Sequence, residues 1–288
     1  MKVRAGTIVV CMGLVGFLWG GAVVGSTLDD DALRAEIYRM VLHDPELLQS
    51  RIQQTLFSYL DEPENMELVI VPDSDARLLA GGLRELSISF ENSYVRDLLV
   101  RRAEVMVRNC LVDWEQMIRF NRFRFRDQGQ VDLLLTVTEH DLNEMMATRG
   151  SRRVRNARLD FRPGHIRFSG RLRVLFFNNH VRVACNLSVR DGDELHFTPR
   201  WMNLDFLPVP RFVVGSISRR MNPVASLERL KFSADLTVIE TSHDSLYIAT
   251  ESMRDRVDEL LARDAERRAA EADAMDDDMD SWGDIEDE

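Results

Sequence analysis

The chain has 288 residues, 45% of them hydrophobic, and a formal net charge of −11. That length excludes a chain too small to bury a core of its own. The charge excludes a uniformly acidic body. Residues 264–288 hold 12 acidic and 2 basic side chains, so residues 1–263 carry the remaining −1. The body is rich in arginine, with Lys2 and Lys231 as its lysines; so uniform a bias reads as genome composition rather than phosphate chemistry.

Lys2 and Arg4 precede an uncharged run from Ala5 to Leu28, and Asp29, Asp30 and Asp31 follow it. A positive end, an apolar run and an acidic far side predict export across a membrane. Two fates stay open for residues 1–28. The dense apolar part, Ile8 to Leu18, and the small residues near Gly25 and Ser26 suit a cleaved signal peptide. The whole run is also long enough for a membrane anchor. Either fate places the rest of the chain in the periplasm or cell envelope and removes most cytoplasmic and nucleic-acid functions. Cys110 and Cys185 remain beyond the leader, compatible with one disulfide in an oxidising compartment or with two buried free thiols.

Residues 29–60 show helical spacing through Leu33, Ile37, Met40, Val41, Leu48, Ile52 and Leu56, with a break at Asp44–Pro45. Asp61–Asp75, with Pro63 and Pro72, reads as a connection or an edge. From about residue 83 the period becomes two. Leu86, Ile88 and Phe90 alternate with polar neighbours, and Phe123 and Phe125 alternate with arginines. Val131, Leu133, Leu135 and Val137 share one face. Ile166, Phe168, Gly170, Leu172 and Val174 form another row, as do Val181, Val183, Cys185, Leu187 and Val189. This pattern predicts an α+β fold with a long antiparallel sheet, apolar on one face and wet on the other. Asn178–Asn179 and Asp191–Gly192 fall where hairpin turns are expected. Short helices are expected over Glu139–Thr148, capped by Thr138, and over Phe212–Met221. Leu236–Ile239 and Leu246–Ala249 close a domain spanning 29–250. A charged helix over 251–272 and a disordered acidic tail over 273–288 follow.

At Val137-Thr138-Glu139-His140-Asp141-Leu142-Asn143 a strand runs into a short helix through a recognisable phrase. Asp75, Leu78, Leu79 and Gly81 lie upstream. Asp191-Gly192-Asp193-Glu194-Leu195, Phe197-Thr198-Pro199, Pro208-Val209-Pro210 and Asn222-Pro223 lie downstream. This ordered set, over about residues 65–250, resembles the LmeA-like phospholipid-binding family of bacterial envelope proteins. The resemblance implies a fold like the tubular lipid-binding (TULIP) proteins, in which a strongly curved antiparallel sheet wraps round a helix as a half-barrel. It also implies an apolar groove for the acyl chains of a phospholipid or related lipid.

The groove lining is expected from the apolar strand faces: Ile88, Phe90, Leu133, Leu135, Val137, Phe168, Leu172, Val174, Val183 and Leu187. The same alternation also describes a closed, dry core. Arg167, Arg171, Arg173, Arg182 and Arg190 would occupy the opposite face, toward solvent or anionic headgroups at a membrane surface. Nothing points to catalysis. His140 and Asp141 are adjacent, but adjacency does not orient a dyad, and a helix start explains Asp141. No nucleophile elbow or phosphate-cradling glycine loop is present. The histidines at 43, 140, 165, 180, 196 and 243 are scattered, so no metal or cofactor is expected. The leading expectation is a noncatalytic lipid-binding or transfer protein without a nucleic-acid partner. The alternative is an anchored envelope scaffold with a solid core whose acidic tail recruits a protein partner.

Overall fold

The computed structural model describes residues 29–57, 63–95, 98–149, 154–174, 177–190, 194–205, 207–212, 214–215, 219, 222, 225–226 and 234–282. The leader and the Asp191–Asp193 turn lie outside these. Among the described residues the fold is α+β, with antiparallel sheets and the six α-helices named below, and it is not a closed barrel.

The N-terminal segment folds as α1 (Asp30–Tyr38), a π-helical turn (Arg39–His43) and α2 (Pro45–Phe57). Asp29 caps α1 by accepting from the Ala32 N–H at 2.7 Å, as a short acidic side chain does at a helix start. The expected break at Asp44–Pro45 separates the π turn from α2, where Pro45 opens the helix and cannot clash with a preceding turn. Met40, Val41, Leu48 and Ile52 point into the core.

The first sheet contains β1 (Glu64–Pro72), β2 (Gly82–Val95), β3 (Leu98–Val112), β4 (Phe125–Asp127) and β5 (Gln130–Thr138). Two later strands, β12 (Leu236–Thr241) and β13 (Ser245–Thr250), join it. Its order is β1-β2-β3-β5-β13-β12, with β4 on β3. The proline-bearing segment is thus the edge strand, where a missing N–H costs nothing. Between strands lie α3 (Asp75–Leu79) and α4 (Trp114–Phe120). Gly81, at φ +102°, connects α3 to β2, and a Cβ there would lie 2.1 Å from the Val112 carbonyl oxygen. Only glycine permits both that conformation and that approach. The neighbouring Trp114 indole donates to the Leu78 carbonyl at 2.8 Å.

The second sheet contains β6 (Val154–Arg162), β7 (His165–Val174), β8 (Phe177–Arg190), β9 (Glu194–Leu204), β10 (Leu207–Pro208) and β11 (Ala225–Ser226). Its order is β10-β9-β8-β7-β6, with β11 also on β9. The strands therefore divide between two sheets, linked through α5 (Glu139–Arg149). Asn178 and Asn179 are not turn residues. The β7–β8 ladder closes at Val174↔Phe177, and the two asparagines pair with Arg173 and Leu172 inside β8. Of the short helix expected over Phe212–Met221, residues 212, 214, 215 and 219 are described, as helical.

One apolar cluster joins α1, α2, α4 and the inner face of the first sheet to Phe161, Ile166 and Cys185 of the second. A smaller cluster lies on the outer face of the first sheet. There Leu134, Val238, Tyr247 and Ala249 pack against Val257 of α6 (Arg254–Trp282), which follows a 3-10 turn at Glu251–Met253. The expected wet outer face is covered at this point. Leu133-Leu134-Leu135 and Leu246-Tyr247-Ile248-Ala249 are continuous apolar runs, the signature of strands buried on both faces. The helix α6 extends past Ala272 to Trp282. Alanines at 269, 270, 272 and 274 favour that continuation.

Candidate functional site

The Val137–Asn143 phrase forms a clip between the sheets. The Thr138 hydroxyl caps α5 by accepting from the Asp141 N–H at 3.2 Å. The Asp141 carboxylate is buried and takes two hydrogen bonds from the Arg101 guanidinium of β3, at 2.8 and 2.9 Å. Glu139 accepts the Phe161 N–H at 2.7 Å. The Asn143 amide accepts from the Leu159 N–H at 2.7 Å and donates to the Leu159 carbonyl at 2.9 Å. A side chain that satisfies two strand backbone groups fixes α5 on β6 in one register. Thr241 extends the junction by donating to the Arg162 carbonyl at 2.8 Å. These polar residues therefore act as fasteners. His140 stays 80% exposed, 4.0 Å from Glu144, while Asp141 is engaged by Arg101, so the adjacent pair forms no dyad.

The groove candidates fall in two environments. Ile88, Phe90, Leu133, Leu135 and Val137 are buried in the cluster that α1, α2 and α4 complete. Phe168, Val183 and Leu187 lie on the inner face of the second sheet, where Val183 is buried and Phe168 and Leu187 are half-buried. Leu172 and Val174 lie on β7, and their side chains are outside the described residues. Strand register groups the second-sheet residues into rows. Phe168, Val183 and Met202 form one, and Gly170, Val181, Leu204 and Leu207 form the next. One end of this face joins the core through Ile166 and Cys185. Along the second row exposure rises toward the sheet edge, from buried Gly170 and Val181 to 36% at Leu204 and 74% at Leu207. Gly170 contributes no side chain to its row.

An open cleft of about 580 Å³ lies beside the clip, lined by Glu139, His140, Asn143, Asn156, Arg158, His243 and Arg268 among others. Its polar lining does not suit an acyl chain. Asp244, also among its lining residues, is held by Arg267 at 2.9 Å. Among the described residues no group of three or more His, Cys, Asp or Glu could hold a metal ion. Cys110 and Cys185 are both free and buried, so the disulfide left open by the sequence is not formed. Cys110 pairs with Leu83 within the first sheet, whereas the Cys185 thiol donates to the Ile166 carbonyl at 3.4 Å in the second. Burial pushes the thiols up from 9.0 to about 11 and about 12.

A family model described as LmeA-like phospholipid-binding matches residues 45–251. The chain belongs to this family. The LmeA-like region covers both sheets and the clip between them, and it leaves out α1 and all of α6. No curated protein and no solved structure matches significantly. Among the described residues no helix is long and apolar enough to cross a membrane.

The sequence missed two features of this region. One is the covering of the outer face by α6, which the continuous apolar runs of β5 and β13 announce. The other is the exposed apolar corner near Leu207, whose signal is the spacing of Leu204, Leu207 and Phe212 round two prolines.

Proposed function

We propose that this is a noncatalytic, exported lipid-binding protein that holds the acyl chains of a phospholipid and carries it within the bacterial cell envelope. The support is membership of a phospholipid-binding family together with the apolar rows of the second sheet. In this reading Phe168, Val183 and Leu187, with Leu172 and Val174, line the groove. Ile88, Phe90, Leu133, Leu135 and Val137 supply the packed floor behind it. The two sheets would together serve as the curved half-barrel of a TULIP-like container.

Such a site needs apolar volume and no reactive group. Sheltering one chain of about 16 carbons is worth up to about 13 kcal/mol at about 0.8 kcal/mol per methylene. The leader would deliver the protein to the envelope, cleaved or retained, and the acidic end would stay in solvent. Native mass spectrometry of the protein purified from an expressing bacterium tests this. One phospholipid per chain is expected. Bare protein that also takes up no lipid from vesicles would leave the second sheet as an ordinary core and favour the anchored scaffold.

A further inference from the structure

Seven large apolar side chains are exposed among the described residues, and three of them, Leu204, Leu207 and Phe212, fall within one short stretch of β9, β10 and the residues after it, while Trp201, paired with Ala184, faces the other side of β9. Such concentration at one corner marks an interaction surface, whereas single exposed apolar residues need no explanation. Phe212 is 78% exposed and Leu207 is 74% exposed.

The corner is held firmly. Leu204 and Leu207 are directly paired across the β9–β10 hairpin. Asp205 in its turn sits at φ +54°. The Asp205 carboxylate accepts the His180 N–H at 2.7 Å, and its own N–H donates to the His180 carbonyl at 2.6 Å. The Val209 N–H then donates to the Met202 carbonyl at 2.8 Å, which keeps the outgoing chain beside β9.

The charge around the corner is opposite to that of the whole chain. From residue 198 to 219 the basic residues are Arg200, Arg211 and Arg219, all exposed, and the single acidic residue is the hydrogen-bonded Asp205. Phenylalanine and leucine beside arginine is a composition that settles into the headgroup boundary of an anionic bilayer. Strand addition by a second copy is disfavoured here. Pro208 and Pro210 remove the edge donors that a new strand would need.

We propose that this corner docks the protein on an anionic phospholipid membrane, with Leu207 and Phe212 inserted at the interface and Arg200 and Arg211 against headgroups. The proposal rests on the lipid-binding reading and extends it. The row Gly170–Val181–Leu204–Leu207 ends at the docked corner, so an acyl chain would leave or enter the groove where the protein meets the bilayer.

The test uses the full chain and vesicles of phosphatidylglycerol and phosphatidylcholine, read by co-flotation and by hydrogen–deuterium exchange over residues 198–215. Wild type should show protection of this segment that weakens at high salt and on pure phosphatidylcholine vesicles. The double variant L207D/F212D should lose the protection and, where the leader has been removed, bind at least about 10-fold less. R200A or R211A should each weaken binding to anionic vesicles about fivefold. Native mass spectrometry of the single variant F212D, outside the apolar rows of the second sheet, should show its lipid content retained while vesicle binding falls, which separates docking from the groove. Vesicle-bound protein without protection at 198–215, or with equal protection in L207D/F212D, would overturn the proposal. So would a vesicle-independent dimer that L207D/F212D abolishes, since the corner would then be a self-association surface.

Discussion

The two sheets are built from the same alternating pattern, yet they are covered differently. The first is closed on its inner face by α1, α2 and α4, and part of its outer face lies under α6. At one end the second sheet shares that core, and at the other its inner apolar row rises in exposure to Leu204 and Leu207. Alternation marks which side chains leave the wet face. It does not say what covers them, so a packed core and a lipid site read alike in strand sequence and separate only once neighbouring elements are placed.

The widest difference is expected in stability. Leu86 of the first sheet is fully buried, so Leu86→Ala should cost about 4 kcal/mol in chemical denaturation. Leu204→Ala in the second sheet should change stability by no more than about 0.5 kcal/mol. Equal losses at the two positions would mean that both sheets are ordinary core. A smaller effect tests the clip that joins them. Asp141 is buried against Arg101, which keeps 39% of its side-chain exposure. Asp141→Ala should then cost about 2 kcal/mol, below the full value for a completely buried pair, because water partly relieves the freed guanidinium.

The thiols give the gentlest probe, since one lies in each sheet. Burial holds both well above 9.0, so at neutral pH neither should react with a thiol reagent until the chain unfolds. The folded chain keeps these protons where the unfolded chain releases them. Their contribution to stability is therefore complete below pH 9 and falls as pH rises toward about 11 for Cys110 and about 12 for Cys185. Denaturation midpoints at pH 8 and pH 10 should show the fall, and Cys110→Ala with Cys185→Ala should flatten it.

Much of the framework was legible because local chemistry determined it. Pro45 marked the break before α2, Thr138 marked the start of α5, and period-two runs marked β2, β5, β7 and β8. The remainder depended on partners distant in sequence. Nothing near Asn178–Asn179 reveals that the β7–β8 ladder closes three residues earlier in the chain, at Val174↔Phe177. Asp141 looked like a helix-start residue, and it is one, but its engagement by Arg101 comes from a strand 40 residues away. The ten groove candidates shared one pattern, and tertiary covering placed half of them beneath helices.

The most direct test is photo-crosslinking with a phospholipid carrying a diazirine on its acyl chain, followed by peptide mapping. Adducts are expected on peptides covering residues 165–190 and 194–209 of the second sheet, while residues 83–90 and 131–137 stay unmodified. Adducts centred on β2 and β5, or none at all from lipid-loaded protein, would contradict the assignment of the lipid to the second sheet.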